Sequence, residues 1–596
     1  MERVWPQLDC GRYPAKATLG DPVEVWADIF RDGHEVLGAA VRYRRCGTRR
    51  WREAPLLPTG NDRWHGAFEP DACGLWEYSI SAWVDRVASW QRELRRMVEA
   101  KQADLSGELA EGALLLGRES VTAEEGLAAP AGDRAEPVEA GPLRVDVDRL
   151  RARFGSWYEL FPRSWGGFAG VEKVLPELAE LGFDVVYLPP VHPIGRTNRK
   201  GRNNVVGAQP GDPGSPWAIG GEEGGHDAVD PGLGTLEEFE RLVARARELD
   251  LDVALDFAIQ CSPDHPWLRD HPEWFQHRPD GTLKYAENPP KRYEDIHNVD
   301  WDSEDWRGLW DALRDVVLFW VARGVRIFRV DNPHTKPVPF WEWLIREVRG
   351  EHPDVVFLAE AFTAPAMMRT LAKAGFSQSY TYFTWKNSKH ELTEYVVGLA
   401  RSEMRDYYRP NFFANTPDIL HAYLVQGGRP AFEVRLILAA TLSPSYGIYS
   451  GFENVERLPL REGSEEYLNS EKYELRKRSL DGELLPLVQT LNEARRAHPA
   501  LQRLENVDFL ETSNEQVIAY SKSDGVDTVL VVANLNPVLA REGLVEVPGA
   551  LGLGTSFRVR DLIDGETYTW QTGGNYVRLD PTERVAHVLA VEPNEP

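Results

Sequence analysis

Apolar and polar residues alternate strictly at both ends of the chain. Near the start, "PVEVWADIF", "GAAVRYRRC" and "LWEYSISAWVD" repeat with a period of two between Gly, Asp and Asn turns. That pattern predicts an N-terminal antiparallel β-sandwich over residues 1–98. The charged stretch "SWQRELRRMVEAKQADLSGELAEGALLL" is helical in character, and "AEEGLAAPAGDRAEPVEAGPL" has the Ala, Glu, Gly and Pro content of a flexible linker. Residues 99–150 therefore read as a helical segment and linker. Alternation returns in "VLVVANL", "YTWQ" and "HVLAVEP", which predicts a C-terminal β-sandwich over 505–596.

Between these ends, over 151–504, short apolar strands alternate with helical segments such as "GTLEEFERLVARAREL". Strands are expected at 157–163, 184–190, 252–259, 325–331, 354–361, 378–383, 411–415 and 446–450. A strand–helix unit repeated in this way predicts an α/β fold, a (β/α)8 TIM barrel flanked by the two sandwiches. The stretch from about 260 to 300 is too long and irregular for an ordinary connection, and predicts an inserted subdomain after strand 3.

Composition narrows the function classes. The chain of 596 residues is 42% hydrophobic and 27% charged, as in ordinary globular proteins, with a formal net charge of −25. So acidic a chain argues against nucleic-acid partners and against an anionic membrane surface. Cys10, Cys46, Cys73 and Cys261 match neither a zinc pattern nor a disulfide framework. The opening "MERVWPQLDCGRYP" lacks an apolar signal stretch and no apolar run is membrane-length, so a cytoplasmic enzyme is expected. Most of the twenty tryptophans and twenty tyrosines are expected in the core, but a surplus of flat rings also suits stacking on the C–H faces of sugars.

The segment "GVRIFRVDNPHTKP" carries the chemistry. Val325, Ile327, Arg329 and Asp331 share one face of its strand, so an apolar face ends on a cation and a carboxylate. Catalytic groups of a barrel sit at the C-terminal ends of strands. Three acids occupy such positions: Asp331, Glu360 in "VVFLAEAF" and Asp418 in "FFANTPDIL". Each could instead cap the following helix, a reading weakest for Glu360 because Glu is a poor cap. Two convergent carboxylates are what glycosyl transfer needs, one attacking the anomeric carbon while the other protonates the leaving oxygen. A retaining pair stands roughly 5–5.5 Å apart, and neighbouring strands are about 4.8 Å apart. A guanidinium such as Arg329 beside Asp331 favours an ionised nucleophile, whereas an apolar setting keeps Glu360 protonated. The competing reading of Arg329 and Asp331 is a buried structural ion pair.

These segments resemble a known family. "FRVDNPHTKP", "LAEAF" and "NTPDIL", with "ALDFAIQCSPDHPW" upstream, are similar to the ordered motif regions of the α-amylase superfamily, glycoside hydrolase family thirteen. Within it, "ELFPRSWG", "VYLPPVHPIGRTNRKGRNN", "GSPWAIGGEEGGHDAVDPGLGT", "ENPPKRYEDI" and "GSEEYLNSEKYELR" look like the bacterial α-1,4-glucan:maltose-1-phosphate maltosyltransferases. The resemblance implies Asp331 as nucleophile, Glu360 as general acid/base and Asp418 as the third acid, stabilising the transition state. It implies a maltose 1-phosphate donor whose phosphate is cradled by Asn288, Lys291, Tyr293 and Asn332, and an α-1,4-glucan acceptor. By the same resemblance Lys200 and Asn204 contact the maltosyl unit, Gln260 follows the third strand, and Lys472 and Tyr473 line the sugar pocket. Neither a metal nor any other cofactor is implied. Pro417 stands where amylases place a His before the third acid. A homodimer is implied as well, although the stretch around 100–145 is short relative to the family's helical insertion.

Other readings stay open at this stage. An α-glucan hydrolase or trehalose-forming isomerase would share the three acids without needing a phosphate cradle. A non-catalytic glucan-binding scaffold would have no reason to bury the triad and Arg329.

Overall fold

The computed structural model describes residues 1–288 and 291–592, with the side chains of Asn288 and Lys291 outside that description. The chain divides into two units, Met1–Arg149 and Leu150–Pro596.

In the first unit the alternating segments become β1 (Glu2–Trp5), β2 (Ala15–Thr18), β3 (Val23–Asp28), β4 (Val36–Arg45), β5 (Arg52–Gly60), β6 (Arg63–Phe68) and β7 (Gly74–Asp85). Helices α1 (Arg86–Glu99), α2 (Ser106–Leu115) and α3 (Ala123–Leu127) precede β8 (Ala135–Asp148). The strands run in the order β1-β3-β6-β5-β4-β7-β8-β2, antiparallel except for the parallel β2–β8 pair. Val25, Val41, Trp76, Tyr78, Ile80 and Val147 form the core of this sheet.

The expected flexible linker is a correction. Thr122 and Glu125 cap each other to start α3, and β8 pairs with β7 from Gly74 opposite Val147 to Val84 opposite Ala135. The first ten residues of β8 bury no side chain, so Glu, Pro and Gly hide the strand from a hydrophobic pattern. Backbone pairing along β7 makes it a strand. The three helices have a small core of their own around Trp90, Leu94, Ala113 and Val121. Gly112 and Gly126 admit the Trp90 ring so closely that a Cβ there would fall 1.9 and 2.4 Å from it.

In the second unit come β9 (Gly155–Glu159), β10 (Val185–Leu188), β11 (Asp252–Phe257), β12 (Tyr285–Asn288), β13 (Lys291–His297), β14 (Ile327–Asp331), β15 (Val356–Glu360), β16 (Gln378–Tyr380), β17 (Pro410–Phe413) and β18 (Ser445–Tyr449). All but β12 and β13 close into a parallel barrel in chain order, β18 returning to β9. Helices α4 (Phe168–Glu180), α5 (Leu236–Glu248), α6 (Pro266–Asp270), α7 (Trp306–Ala322), α8 (Val338–Glu351), α9 (Pro365–Ala374), α10 (Lys389–Arg401), α11 (Ala422–Leu442) and α12 (Leu485–Ala497) accompany these strands. Every expected barrel strand forms. The first is shorter than expected, because a 3-10 turn over Pro162–Ser164 replaces its predicted end. The antiparallel hairpin β12–β13 lies in the expected insertion after the third barrel strand.

The lumen explains the polar strand ends. Trp157, Val185, Tyr187, Ala254, Ile327, Val356, Leu358, Tyr380 and Phe413 pack into the barrel interior. Period two carries the same inward faces onward to Glu159, Asp256, Arg329, Asp331 and Glu360. The apolar plug and the polar layer above it are thus successive turns of one alternation.

The chain ends with β19 (Val507–Leu510), β20 (Val517–Ser523), β21 (Thr528–Asn534), β22 (Arg541–Val547), β23 (Ser556–Asp561), β24 (Thr567–Gln571), β25 (Gly573–Leu579) and β26 (Ala586–Val591). A six-stranded sheet, β19-β20-β21-β26-β23-β24, faces the β22–β25 ribbon across a core that includes Val532, Val545, Val559, Trp570 and Leu589. Hydrogen bonds fasten this region to the barrel helices, among them the buried Thr441 Oγ1 to Tyr520 Oη at 2.5 Å and the half-buried Lys389 Nζ to Thr512 Oγ1 at 2.8 Å. Among the described residues, no helix is long and apolar enough to cross a membrane.

Candidate active site

Strands β14 and β15 place Asp331 and Glu360 as direct register partners at their C-terminal ends. Immediately beyond, Asn332 adopts the left-handed conformation, φ 43°. The turn aims its backbone N–H at Glu360 Oε2 (3.1 Å) and its side-chain amide at Asp331 Oδ2 (3.2 Å). Gln260 donates to the same Asp331 oxygen at 2.5 Å.

One guanidinium organises the acids. Arg329 Nη1 donates to Asp331 Oδ1 and to Asp256 Oδ2, each at 2.8 Å, while its Nη2 stands 3.5 Å from Glu360 Oε1. Tyr187 completes the arrangement by donating to Asp256 Oδ2 at 2.6 Å. Burial opposes the charge on Arg329, yet the surrounding phenol and carboxylates raise its pKa overall and keep it a cation. The same burial pushes Glu360 up to about 8, with Asp331 and Asp418 reinforcing the shift and Arg329 opposing it. Asp256 is likewise pushed by burial to about 7, and Glu159 rises well above the ordinary carboxyl range. The site therefore separates a carboxylate held by donors from a carboxyl that keeps its proton at neutral pH.

The third acid arrives from β17. Asp418 takes an ion pair from Lys472, whose own burial would discharge it but whose pKa the carboxylate raises overall. None of the three acids caps the next helix: α9 starts after Ala364, α11 is capped by His421, and Asp331 leads into a 3-10 turn.

A cavity of about 610 Å³ opens above these groups. It is lined by Asp331, Glu360 and Asp418 and, of the other sequence candidates, by Asn204, Gln260, Tyr293, Asn332, Lys472 and Tyr473. Arg329 lies outside this lining and reaches the cavity only through the acids it binds. Lys200 is also outside it, buried in an ion pair with Glu294 at 2.5 Å. Asn288 and Lys291 were expected at the donor phosphate, and their side chains lie outside the described residues.

Sequence reasoning missed several neighbours. Asp256 and Tyr187 hold Arg329 from behind, and only strand parity, read against Ala254 and Val185, could have placed them inside. Lys336 donates to the carbonyls of Asp331 (3.3 Å) and Asn332 (3.2 Å), five residues beyond the nucleophile candidate. Trp217 and Asp295 also line the cavity. Burial pushes Asp295 up to about 6.

Away from this layer, the ligand-type atoms of His226, Cys261 and His265 lie close together. The hydrogen bonds run one way through the two imidazoles. Trp267 N–H donates to His265 Nδ1 (3.1 Å), which leaves His265 Nε2–H to donate to His226 Nδ1 (3.0 Å), and His226 Nε2–H to donate to Ala258 O (2.9 Å). Both ring lone pairs are spent, so this neutral chain offers no imidazole nitrogen to a cation.

Comparison with known proteins agrees with this geometry. Residues 1–153 match a family described as α-1,4-glucan:maltose-1-phosphate maltosyltransferase, domain N/S, and 509–591 match one described as GLGE, C-terminal. The chain is 50% identical to α-1,4-glucan:maltose-1-phosphate maltosyltransferase 1 of Streptomyces coelicolor, over 100% of this chain and 95% of that one. It is 47% identical to the Mycolicibacterium smegmatis enzyme of the same name, over 99% and 96%. In fold it is similar to a maltogenic α-amylase from Thermotoga neapolitana, TM-score 0.58 at 20% identity, covering 74% of this chain and 99% of that one. An α-amylase from Lactobacillus plantarum gives the same TM-score of 0.58 at 21% identity, with the same 74% and 99% coverage. With half of all positions shared along its whole length, the chain belongs to the α-1,4-glucan:maltose-1-phosphate maltosyltransferase family.

Proposed function

We propose that this chain moves maltosyl units from α-maltose 1-phosphate to the non-reducing end of α-1,4-glucans, releasing phosphate with retention of configuration. The observation that carries the mechanism is the pairing of Asp331 with Glu360 under a single shared cation, Arg329. Asp331 attacks the anomeric carbon and displaces phosphate, forming a β-maltosyl ester. Glu360, holding its proton, assists departure of the phosphate. As a carboxylate it then takes the proton of the acceptor 4-hydroxyl, which attacks the ester from the opposite face. Asp418, oriented by Lys472, holds sugar hydroxyls as the ring flattens toward an oxocarbenium ion.

The donor phosphate would be cradled by Asn288, Lys291, Tyr293 and Asn332. Asn332 supports this assignment because its backbone N–H lies against Glu360, the acid that would meet the departing phosphate on the face opposite Asp331. Gln260, Asn204 and Tyr473 would bind the maltosyl rings. Lys200 would act through the insertion by its hold on Glu294. The two sandwiches would be separate domains flanking the barrel. The protein would work in the cytoplasm, where its free cysteines stay reduced, and as a homodimer.

The test is incubation with maltose 1-phosphate and maltohexaose. Phosphate release with chains lengthening by two glucose units is the expected outcome. Reducing sugar formed from glucan in the absence of donor would instead identify a hydrolase, and glucan binding without turnover would identify a scaffold.

A further inference from the structure

Arg163 bonds through its guanidinium to backbone rather than to an acid. It sits in the 3-10 turn after β9, and among the described residues no carboxylate lies within ion-pair distance of it. Its guanidinium forks to two backbone carbonyls from distant parts of the chain. Nη1 donates to Gly214 O at 2.9 Å, and Nη2 donates to Glu471 O. Burial pushes this guanidinium down to about 10, and the nearby charges of Glu471 and Asp230 offset only part of that cost.

Each of these carbonyls leads directly into the cavity wall. Beyond Gly214 come Ser215 and Trp217, and beyond Glu471 come Lys472 and Tyr473, and all four line the cavity. Arg163 does not. It stands behind the wall and joins the two segments that make it. The Glu471 side chain is itself pinned away from the cavity, accepting from Tyr449 Oη at 2.5 Å and from Arg478 Nη2 at 2.7 Å. A second tie runs nearby, where Asn469 N donates to Asn203 Oδ1 (2.8 Å) and Asn203 Nδ2 donates to Asn469 Oδ1 (3.2 Å). Gly214 is in the left-handed region at φ 74°, and a Cβ there would strike Arg199 at 2.8 Å. The segment therefore has one way to present its carbonyl.

We propose that Arg163 is a positioning residue for donor specificity: by spanning Gly214 and Glu471 it fixes the spacing of the Ser215–Trp217 and Lys472–Tyr473 walls. This rests on the proposed transferase reading. Asp331 and Glu360 make no hydrogen bond to Arg163, and Lys472 keeps its own ion pair to Asp418, so loosening this wall degrades donor fit more than bond-making at saturation.

The experiment compares full-length wild type with Arg163→Lys and Arg163→Met, using maltose 1-phosphate as varied substrate, maltohexaose as acceptor and phosphate as readout. Arg163→Met is expected to raise donor KM about tenfold or more, with kcat changed less than about threefold. Arg163→Lys falls between, because one ammonium cannot reproduce a planar fork. Because Asn203 ties the same segment, its effect on donor KM in Asn203→Ala is expected to couple to that of Arg163. An unchanged donor KM in either Arg163 variant, or kcat loss at constant KM, overturns the proposal, as does strict additivity with Asn203→Ala. Should Arg163→Met not fold, Arg163→Lys alone decides in the same way. The wild type is read first: no phosphate release there overturns the proposed function, whereas unaltered variants of an active wild type overturn this inference alone.

Discussion

Asp331 and Glu360 face each other across β14 and β15, and both accept a hydrogen bond from the one residue directly after Asp331, Asn332. The backbone N–H serves Glu360, and the side-chain amide serves Asp331. Asn332→Gly keeps the left-handed turn and the N–H to Glu360 while removing the amide. Donor KM should rise by about tenfold, the loss of one hydrogen bond to a charged group, with binding of maltohexaose alone unaltered by calorimetry.

Asp331→Ala removes the carboxylate that would carry the maltosyl ester. Phosphate release should fall by a factor on the order of 10⁴ or more, and mass spectrometry of the quenched variant should show no maltosyl adduct.

Glu360 titrates near 8 because burial disfavours its charge. As an acid it must be protonated in the free enzyme, so kcat/KM for donor should decline as pH rises through about 8. The folded value lies above the unfolded one, near 4.5, so the folded state binds the proton more tightly. The stabilising contribution is complete below that lower value and is lost as pH climbs to about 8. Glu360→Gln should therefore match wild type in stability near pH 4 and gain up to about 4 kcal/mol by pH 8, measured by urea unfolding at both pH values.

Arg329 neutralises a layer that also holds Asp256, Asp331 and Glu360. Arg329→Met strands those carboxyls in the barrel interior and should cost about 3–5 kcal/mol. Asp256→Asn should cost less, since burial already pushes that carboxyl up to about 7. Chemical denaturation of both variants at pH 7 checks the order.

Lys472→Met frees Asp418 from the cation that orients it. kcat for transfer should fall by about 10², while the thermal midpoint moves little because Asp418 remains half-exposed. Steady-state kinetics beside a melting curve separates the two effects.

Much of this protein is legible in one dimension. Short apolar runs such as 325–331 and 354–361 defined the barrel strands, because a strand buried on both faces is apolar until it reaches the active site. Parity put Arg329 and Asp331 on one face, and position at a strand's C-terminal end marked Glu360. Strand β8 escaped this logic, since its solvent-facing Glu, Pro and Gly carry no buried stripe and only pairing with β7 makes it a strand. The partners of the acids escaped it too. That Lys472 meets Asp418 from 54 residues away, and that Arg163 forks to Gly214 and Glu471, depends on where loops converge above the barrel. Alternation fixes which way a side chain points within its own strand. Which groups then meet is decided by barrel closure and loop packing, which join residues hundreds of positions apart and leave no periodic trace in the chain.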